Sequence, residues 1–275
     1  MILGLEEDGA SYDWTAMGLK ARVTAKLIAK AQGIWAAEPL VFATNQCAKE
    51  IGVDLKVESS LKDGATVKKG DVLVNWQGEA RAILAFERPF INLASYVSGI
   101  ATQTRSLVDV IAKSQASKKP RLTATRKTLP GYRDLAIHGV LAGSGYSHRL
   151  GLSSGVLIKE NHIEAAGGVA QSIQKAKEQA PHGLKIEIEV KNMKELEEAS
   201  RAGAEIVMLD NFTPSQVQEA VKWKQKNAPS LVIEVSGGIT VENIGAYSID
   251  GVDIISSGSL THSVKALDLS LLIDT

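Results

Sequence analysis

Charged residues and glycine-containing turns follow six short β-branched runs in the second half of this chain. The residues at the ends of these runs are Arg126 with Lys127, Lys159, Glu189, Asp210, Ser236-Gly237-Gly238 and Ser257-Gly258. If the runs are parallel strands, their carboxyl ends meet at one edge, where β/α barrels carry their active sites. At any single position, the charge could simply mark where a strand leaves the core. The starts of the runs, however, hold no similar set of charged residues. The pattern therefore predicts one shared site.

The basic members of this set predict a site for an anion. Arg126, Lys127 and Lys159 are joined by His148 and Arg149. Guanidinium groups bind carboxylates and phosphates at two points, and lysine adds a compact charge. Because so many cations at one edge would repel one another, we expect an anionic substrate between them.

Three carboxylates form a second group at the same edge. In the run LKIEIEV, Glu187 and Glu189 share one face of the predicted strand, because side chains alternate along a strand. Together with Asp210 they would repel one another unless they bind a divalent cation or face a developing positive charge. The alternative for Glu187 is a structural role inside the barrel, paired with a lysine.

Two glycine-containing turns on successive late runs predict a phosphate site. They are Val235 to Gly238 and Ser256 to Ser259, each between a predicted strand and a predicted helix. Backbone N–H groups at such turns bind anions with the help of the helix dipole, and late-strand loops are a recurrent phosphate site in barrels. Either turn alone is weak support, because serine and glycine are common in turns. His262, beyond the second turn, is expected to cap the final helix.

The elements that must position these residues are predicted by the alternation of short runs with helical segments. The runs are RLTATRK, SGVLIK, LKIEIEV, EIVMLDN, SLVIEVSGG and DIISSGS. Such alternation predicts a parallel sheet with right-handed crossovers, and the short loops favour a closed or nearly closed barrel. No G-x-G-x-x-G follows the first strand, which argues against a dinucleotide fold. Thr213 and Pro214 predict the start of a helix.

The first part of the chain predicts a mixed α/β arrangement. A strand pair that turns at Gly33 precedes a short helix from Glu38 to Gly52. From Ala80 onward, an apolar-periodic stretch predicts one or two helices, broken near Pro89 and Gly99.

Composition restricts the class of protein. Of the 275 residues, 44% are hydrophobic and 23% are charged, which is ordinary for a globular chain of one or two domains. Basic and acidic residues balance at 31 each, which argues against nucleic-acid or membrane-surface binding. Apolar runs are too short for a membrane-spanning helix, and the start does not look like a secretory signal. A single cysteine, Cys47, forbids an intrachain disulfide. We therefore expect a cytoplasmic protein.

The motifs at the run ends, in their order and spacing, resemble those of the quinolinate phosphoribosyltransferases. They are TRKTLPGYR, HRLG, LIKENHI, EIEV, MLDNF, EVSGGI and GSLTHS, preceded by EEDGASYDWT, DGATVKKGDVL and ERPFINLASYVSGIAT. The resemblance implies an α/β protein: an N-terminal mixed α/β sandwich domain over residues 1–112 and an incomplete, open α/β barrel of the type II phosphoribosyltransferase kind over residues 113–262. It also implies that the C-terminal tail, residues 263–275, packs back on the first domain, and that the unit is a homodimer.

The resemblance further implies a reaction. Quinolinate and phosphoribosyl pyrophosphate would give nicotinate mononucleotide, pyrophosphate and CO₂, a step of de novo NAD biosynthesis. The two substrates would be the small-molecule partners, with Mg²⁺ as the cofactor and no organic cofactor.

The resemblance assigns a role to each residue of the site. Quinolinate would be bound by Arg126, His148, Arg149 and Lys159, with Arg88 completing the site of the neighbouring subunit. Lys127, Glu189 and Asp210 would be the catalytic residues, and the two carboxylates would hold Mg²⁺ directly or through water. The phosphoribosyl group would be held by Ser236, Gly237, Gly238, Ser257, Gly258 and His262.

The chain departs from the family pattern at five positions. These are Leu141, Ser144, Ser147, Glu160 and Lys191, where the family usually or often has arginine, glycine, asparagine, aspartate and an acidic residue. One alternative is therefore a related pyrophosphorylase of the kind encoded with molybdate transport systems, acting on another anionic base. A second alternative is a non-catalytic dimer that binds a phosphometabolite, against which Glu189 and Asp210 argue.

Overall fold

The structure, a computed structural model, describes residues 1–274. Thr275, the last residue of the predicted C-terminal tail, lies outside the described residues. The chain divides into two compact units. One comprises residues 1–105, residues 134–144 and the segment from Val264 onward; the other comprises residues 106–133 and 145–263. The predicted single boundary near residue 112 therefore differs from this division, in which residues 134–144 group with the first unit.

Strands and helices are numbered in chain order. The strands are β1 (Arg22–Ala29), β2 (Gly33–Ile34), β3 (Leu55–Glu58), β4 (Thr66–Val67), β5 (Val72–Glu79), β6 (Arg121–Thr123), β7 (Val156–Ile158), β8 (Ile186–Val190), β9 (Ile206–Asp210), β10 (Val232–Ser236), β11 (Ile254–Ser256) and β12 (Leu269–Ile273). The helices are α1 (Ile2–Glu7), α2 (Glu38–Ile51), α3 (Ala80–Lys113), α4 (Arg133–Ala142), α5 (Glu160–Ala166), α6 (Val169–Gln179), α7 (Met193–Arg201), α8 (Pro214–Asn227), α9 (Ile244–Tyr247) and α10 (Ser259–His262). Among residues 1–274, no helix combines the length and the apolar character that crossing a membrane requires.

The first unit is built on a four-stranded sheet in the order β12-β1-β5-β3. β1 pairs antiparallel with β5 and with β12, which comes from the end of the chain. Apolar side chains of the sheet and of α3 form the core, and the rings of Trp76 and Phe90 meet edge to face with centroids 5.2 Å apart. Burial of such aromatic pairs is a large contribution to stability in a unit of this size.

The predicted strand pair that turns at Gly33 is wrong. β2, which begins at Gly33, pairs with β4 and not with β1. Gly33 instead allows a close approach, because a Cβ atom there would lie 2.7 Å from Leu267 Cδ1 and 2.8 Å from Thr102 Oγ1. Gly33 therefore does occupy a position that needs glycine, but the reason is close packing and not a turn.

The predicted break near Pro89 and Gly99 is also wrong, because α3 runs without interruption through both residues. Phe86 and Phe90 are fully buried on either side of the proline, and this burial outweighs the one backbone hydrogen bond that a proline removes. At Gly99, a Cβ atom would overlap the backbone carbonyl of Lys265. The glycine thus permits tight packing of α3 and does not end the helix.

The second unit contains a six-stranded parallel sheet in the order β6-β11-β10-β9-β8-β7. All six strands predicted from the sequence are present, and their central residues are buried. Within residues 1–274, β6 and β7 form the two edges, so the sheet stays open and does not close into a complete barrel. The predicted start of α8 is confirmed, because the Thr213 N–H donates to Gln216 Oε1 at 2.9 Å in a capping box.

Candidate active site

An open cavity of about 510 Å³ lies at the carboxyl ends of the six parallel strands. Its lining comes from the ends of all six strands, from the loops that follow them and, for His148 and Arg149, from the loop between α4 and β7. The lining residues are Thr125, Arg126, Lys127, His148, Arg149, Leu157, Lys159, Glu189, Met208, Asp210, Asn211, Glu234, Ser236, Gly237, Gly238 and Ser256. Five of the six predicted run ends therefore line a single cavity within the second unit, and Ser257-Gly258 is not part of this lining.

The basic residues of the cavity lie close enough to influence one another. The Arg149 guanidinium donates to the carbonyl of Gly155 at 3.2 Å. Burial lowers the pKa of Arg149, and the charge of Arg126 lowers it further. Arg126 is partly buried, and its Nε has no hydrogen-bond partner among the described residues. Two neighbouring guanidinium groups, one with an unused donor, are suited to bind a carboxylate or a phosphate.

His148 lies between two buried carboxylates from different strands. Its Nε2 atom is 3.5 Å from Glu187 Oε2 on β8 and 3.3 Å from Glu234 Oε2 on β10. Burial disfavours the charged ring, but the hydrogen bonds to Glu187 and Glu234 outweigh it and raise the pKa of His148. The alternative of a lysine partner for Glu187 is replaced by this histidine.

Glu234 is a charged site residue that sequence reasoning missed. It is fully buried, yet it belongs to the lining of the cavity. The signal was present in the sequence, because Glu234 precedes Ser236 by two positions and therefore shares its strand face. An acid on the same face as a predicted phosphate residue was a site candidate.

The acidic side of the cavity is formed by Glu189 and Asp210. The Lys159 ammonium donates to Glu189 Oε2 at 2.9 Å, and the Asn211 amide donates to Asp210 Oδ2 at 2.7 Å. Burial raises the pKa of Asp210, and the charge of Glu189 adds to this rise, so the two carboxylates lie within electrostatic reach of each other. Oxygen ligands of this type are those that Mg²⁺ prefers, usually one or two carboxylates with substrate phosphates.

The turn after β10 combines two glycines in the left-handed region. Gly237 has φ +95° and Gly238 has φ +59°. A Cβ atom at Gly237 would overlap the side chain of Asn211. The Asn243 amide donates to the Gly238 carbonyl at 2.8 Å and thereby braces the turn. The helices that follow the two predicted phosphate turns, α9 and α10, have four residues each, so the helix dipole contributes little here.

Ser257 does not offer the donors that its predicted phosphate role requires. Its N–H donates to the Thr123 carbonyl at 3.1 Å, and its hydroxyl donates to the Ile239 carbonyl at 2.8 Å. Both groups are thus used inside the barrel. Ser256 lines the cavity instead, and its hydroxyl donates to Ser236 Oγ at 2.9 Å.

Gly258 and His262 lie beside Lys127. A Cβ atom at Gly258 would be 3.0 Å from both Lys127 Cδ and His262 Cδ2, so the glycine allows these two side chains to approach. The Thr261 hydroxyl donates to the Lys127 carbonyl at 2.7 Å. His262 is exposed, and its Nδ1 is 2.7 Å from the Ser263 hydroxyl.

Comparison with known proteins decides the family. Residues 13–98 match the N-terminal domain and residues 100–272 the C-terminal domain of quinolinate phosphoribosyl transferase. The chain belongs to the quinolinate phosphoribosyl transferase family. A probable nicotinate-nucleotide pyrophosphorylase (carboxylating) of Bacillus subtilis is 39% identical over 269 residues, which cover 96% of this chain and 89% of that protein. The human nicotinate-nucleotide pyrophosphorylase (carboxylating) is 35% identical over 240 residues, which cover 86% and 80%.

Solved structures of the family confirm the predicted fold class. Nicotinate-nucleotide pyrophosphorylase from Ehrlichia chaffeensis superposes with a TM-score of 0.90 at 30% identity and covers 99% of this chain and 97% of that chain. The protein of that name from Francisella tularensis gives 0.87 at 34% identity, with 99% and 94% covered. The family predicted from the motifs is confirmed as well, and the predicted activity is the one for which these relatives are named.

Two departures from the pattern of the quinolinate phosphoribosyl transferase family contact each other. Lys191 and Glu160 form an ion pair. A third departure, Ser144, adopts the left-handed conformation with φ +70°, where glycine would be unstrained, and its hydroxyl accepts from the Arg105 guanidinium at 2.7 Å. Leu141 is half exposed on α4.

Arg88, the residue for which the family resemblance implies a role in a neighbouring site, belongs to the first unit. Its side chain on α3 is 68% exposed, and its guanidinium lies 3.6 Å from Glu87 Oε1. An ion pair of that length in solvent holds the side chain weakly.

Proposed function

We propose that this chain transfers the phosphoribosyl group of phosphoribosyl pyrophosphate to the ring nitrogen of quinolinate, releasing pyrophosphate and CO₂ and giving nicotinate mononucleotide for NAD biosynthesis. One observation carries the proposal: a single cavity brings together a basic group, Arg126, Arg149 and Lys159, and an acidic group, Glu189 and Asp210. Such a division of charge suits an aromatic diacid beside a sugar that becomes positive during the reaction.

In this proposal, quinolinate docks on the basic side. Arg126, Arg149 and Lys159 bind its two carboxylates, and their fixed positions orient the ring nitrogen toward the sugar. The lowered pKa of Arg149, caused by burial and by the charge of Arg126, supports this role, because a bound dianion would relieve the repulsion. Lys127, between the strand ends and Gly258, would contact both substrates.

The acidic side stabilises the sugar in the transition state. Displacement of pyrophosphate at the anomeric carbon passes through a state with positive charge on the ribose ring. Glu189 and Asp210, both partly buried, would stabilise that charge electrostatically. Asn211 would hold Asp210 in place through its amide.

Glu189 and Asp210 would also hold Mg²⁺, directly or through water. Their oxygen donors fit this ion, and their mutual repulsion favours a cation between or beside them. When bound, Mg²⁺ offsets the negative charge of the departing pyrophosphate.

The 5′-phosphate of the sugar would be held by the turn after β10. Ser236, Gly237 and Gly238 line the cavity, and the left-handed glycines allow a close approach of backbone to ligand. Gly258 and His262, beside Lys127, would complete this site.

Loss of CO₂ would then need no organic cofactor. After the carbon–nitrogen bond has formed, the positively charged ring nitrogen stabilises the electron pair left on the adjacent carbon when its carboxylate leaves as CO₂. That carbon then takes up one proton. The protein's part is to keep the second carboxylate, the one that remains, bound to its basic residues.

The assembly completes the proposal. A homodimer in the cytoplasm would bring Arg88, exposed and weakly paired in its own chain, into the neighbouring subunit's site as an additional carboxylate ligand.

The decisive experiment incubates purified protein with quinolinate, phosphoribosyl pyrophosphate and Mg²⁺ and measures nicotinate mononucleotide and CO₂. Equal release of both products is expected. Nicotinate, which lacks the second carboxylate, is the control substrate and should react poorly. Turnover of another anionic base in place of quinolinate would favour the related pyrophosphorylases, and ligand binding without any turnover would favour a non-catalytic role.

A further inference from the structure

The buried cluster of His148, Glu187 and Glu234 is not explained by the proposed roles of the cavity. Glu234 is fully buried in the middle of the sheet, and Glu187 is 5% exposed. The Oε1 atom of each has no hydrogen-bond partner among the described residues. Burying two carboxylates in this way costs several kcal/mol compared with apolar side chains of the same shape. A cost of that kind is typical of a functional site and not of a core built for stability.

Both nitrogens of the His148 ring are engaged by the protein. Nε2 is directed at Oε2 of Glu187 and of Glu234, at 3.5 and 3.3 Å. Nδ1 accepts a hydrogen bond from the backbone N–H of Arg149 at 2.8 Å. An Nδ1 that accepts requires the ring hydrogen to sit on Nε2, where the carboxylates receive it. Only the neutral ring makes both contacts, because protonation adds a hydrogen at Nδ1 and removes the acceptor of the Arg149 N–H. That N–H therefore opposes the rise in the pKa of His148 that Glu187 and Glu234 cause.

The same three side chains bring possible ligand atoms within 4.8 Å of one another, as in a metal site. The backbone N–H of Arg149 argues against that reading. Because this N–H donates to Nδ1, Nε2 carries hydrogen and has no lone pair for an ion. The cluster is therefore better explained by hydrogen bonds to the histidine.

We infer that Glu234, assisted by Glu187, is a positioning residue of the anion site: it holds the His148 ring by Nε2, and the ring holds the backbone of Arg149 by Nδ1. His148 then acts on the substrate through Arg149 and not through a ring nitrogen of its own. This inference rests on the proposed function, because it takes Arg149 to be a ligand of quinolinate. Within the described residues, the Arg149 guanidinium donates one hydrogen bond to the protein, to the Gly155 carbonyl at 3.2 Å. The rest of its donors remain for a ligand.

The test compares Glu234→Ala with the conservative Glu234→Gln. The amide oxygen of glutamine can still accept from Nε2–H, whereas alanine removes the acceptor. We expect Glu234→Ala to raise KM for quinolinate about tenfold or more, with KM for phosphoribosyl pyrophosphate changed less than about twofold, and Glu234→Gln to restore most of the loss. Asp253→Asn is the matched control, because Asp253 is a half-buried acid directly before β11 that pairs with Lys224 outside the cavity lining. Equal effects on both KM values, or no rescue by glutamine, would overturn the inference.

Two measurements that do not need turnover separate this inference from the proposed function. Calorimetry should show that the affinity for quinolinate falls from the wild type to Glu234→Gln and falls further in Glu234→Ala. If the affinities follow this order but the wild-type protein makes no product, the proposed function fails and the positioning role stands. Nitrogen-15 spectra should show a slowly exchanging Nε2–H on His148 that disappears in Glu234→Ala. A wild-type His148 ring without hydrogen on Nε2, or with hydrogen on both nitrogens, would overturn the inference even if turnover is normal.

Discussion

The Lys159 ammonium lies 2.9 Å from Glu189 Oε2, so a cation of the basic side and a carboxylate of the acidic side share a hydrogen bond in the cavity. The two halves of the site are therefore not separate. If quinolinate binds Lys159 as we propose, it competes with Glu189 for that ammonium, and Glu189 would become available to the sugar as the base docks. The pair would then link binding of the base to the carboxylate that stabilises the transition state.

Replacing Glu189 with glutamine should separate these two roles. We expect kcat to fall about 100-fold, because one preorganised charge that stabilises the transition state is lost. KM for quinolinate should stay the same or decrease, because Lys159 no longer has a competing anion. Steady-state kinetics with each substrate varied in turn measures both. A KM for quinolinate that rises in step with the fall in kcat would contradict the assignment of Glu189 to the sugar.

Replacing Arg149 with alanine should weaken the use of quinolinate far more than the stability of the fold. A hydrogen bond to a charged group contributes about 1.5–3 kcal/mol, so KM for quinolinate should rise by about 10- to 100-fold. The matched control is Arg201→Ala on α7, where an exposed arginine pairs with Glu197 at 2.7 Å. Quinolinate titration together with thermal unfolding tests the prediction, and a KM equal to that of the control would contradict it.

Gly99→Ala should destabilise the first unit. Alanine in place of glycine favours a helix by about 1 kcal/mol, but here its Cβ would overlap the carbonyl of Lys265, and overpacking costs about 1–3 kcal/mol. Because the neighbour is backbone and cannot rotate away, we expect a net loss and a lower melting temperature. Gly183→Ala is the control, since a Cβ there would meet nothing within 4 Å. If Gly99→Ala were as stable as Gly183→Ala, the backbone around Lys265 would have moved away from the added methyl group at little cost in free energy.

Asp253 should make stability depend on pH in the acid range. Burial disfavours its ionised form, but hydrogen bonds from Lys224 at 2.6 Å and from the Ile233 N–H outweigh burial and hold the pKa of Asp253 below its usual value. A pKa that is lower in the folded state means that ionised Asp253 stabilises the fold above the ordinary aspartate pKa, and that this stability is lost as the pH falls through the folded pKa.

Asp253→Asn therefore should lower the free energy of unfolding by roughly 2 kcal/mol at pH 7, a value reduced from that of fully buried pairs because Asp253 is partly exposed. The difference from the wild-type protein should shrink below about pH 4, where the aspartate is protonated on unfolding. Urea unfolding at pH 7 and pH 3 measures it. An equal difference at both pH values would show that packing, and not charge, makes Asp253 important.

The sequence by itself determined the parts of this protein that depend on local rules. The six parallel strands, the start of α8 at Thr213 and the position of the site at the strand ends follow from side-chain alternation, capping chemistry and turn residues within a few positions of one another. For the same reason, Arg126, Lys159 and Asp210 could be predicted to share one cavity before any contact was known.

Only the tertiary structure decided which residues meet across the chain. Glu234 looked like an ordinary strand residue until β10 brought it within 3.3 Å of His148, and β1 finds its partner β12 at the other end of the sequence. Gly33 and Gly99 permit close approaches to segments far away in the chain, so their local readings as a turn and a helix break failed. Propensity describes the energy of a residue in its own segment, whereas burial and hydrogen bonding between segments depend on packing, and packing prevailed at these positions.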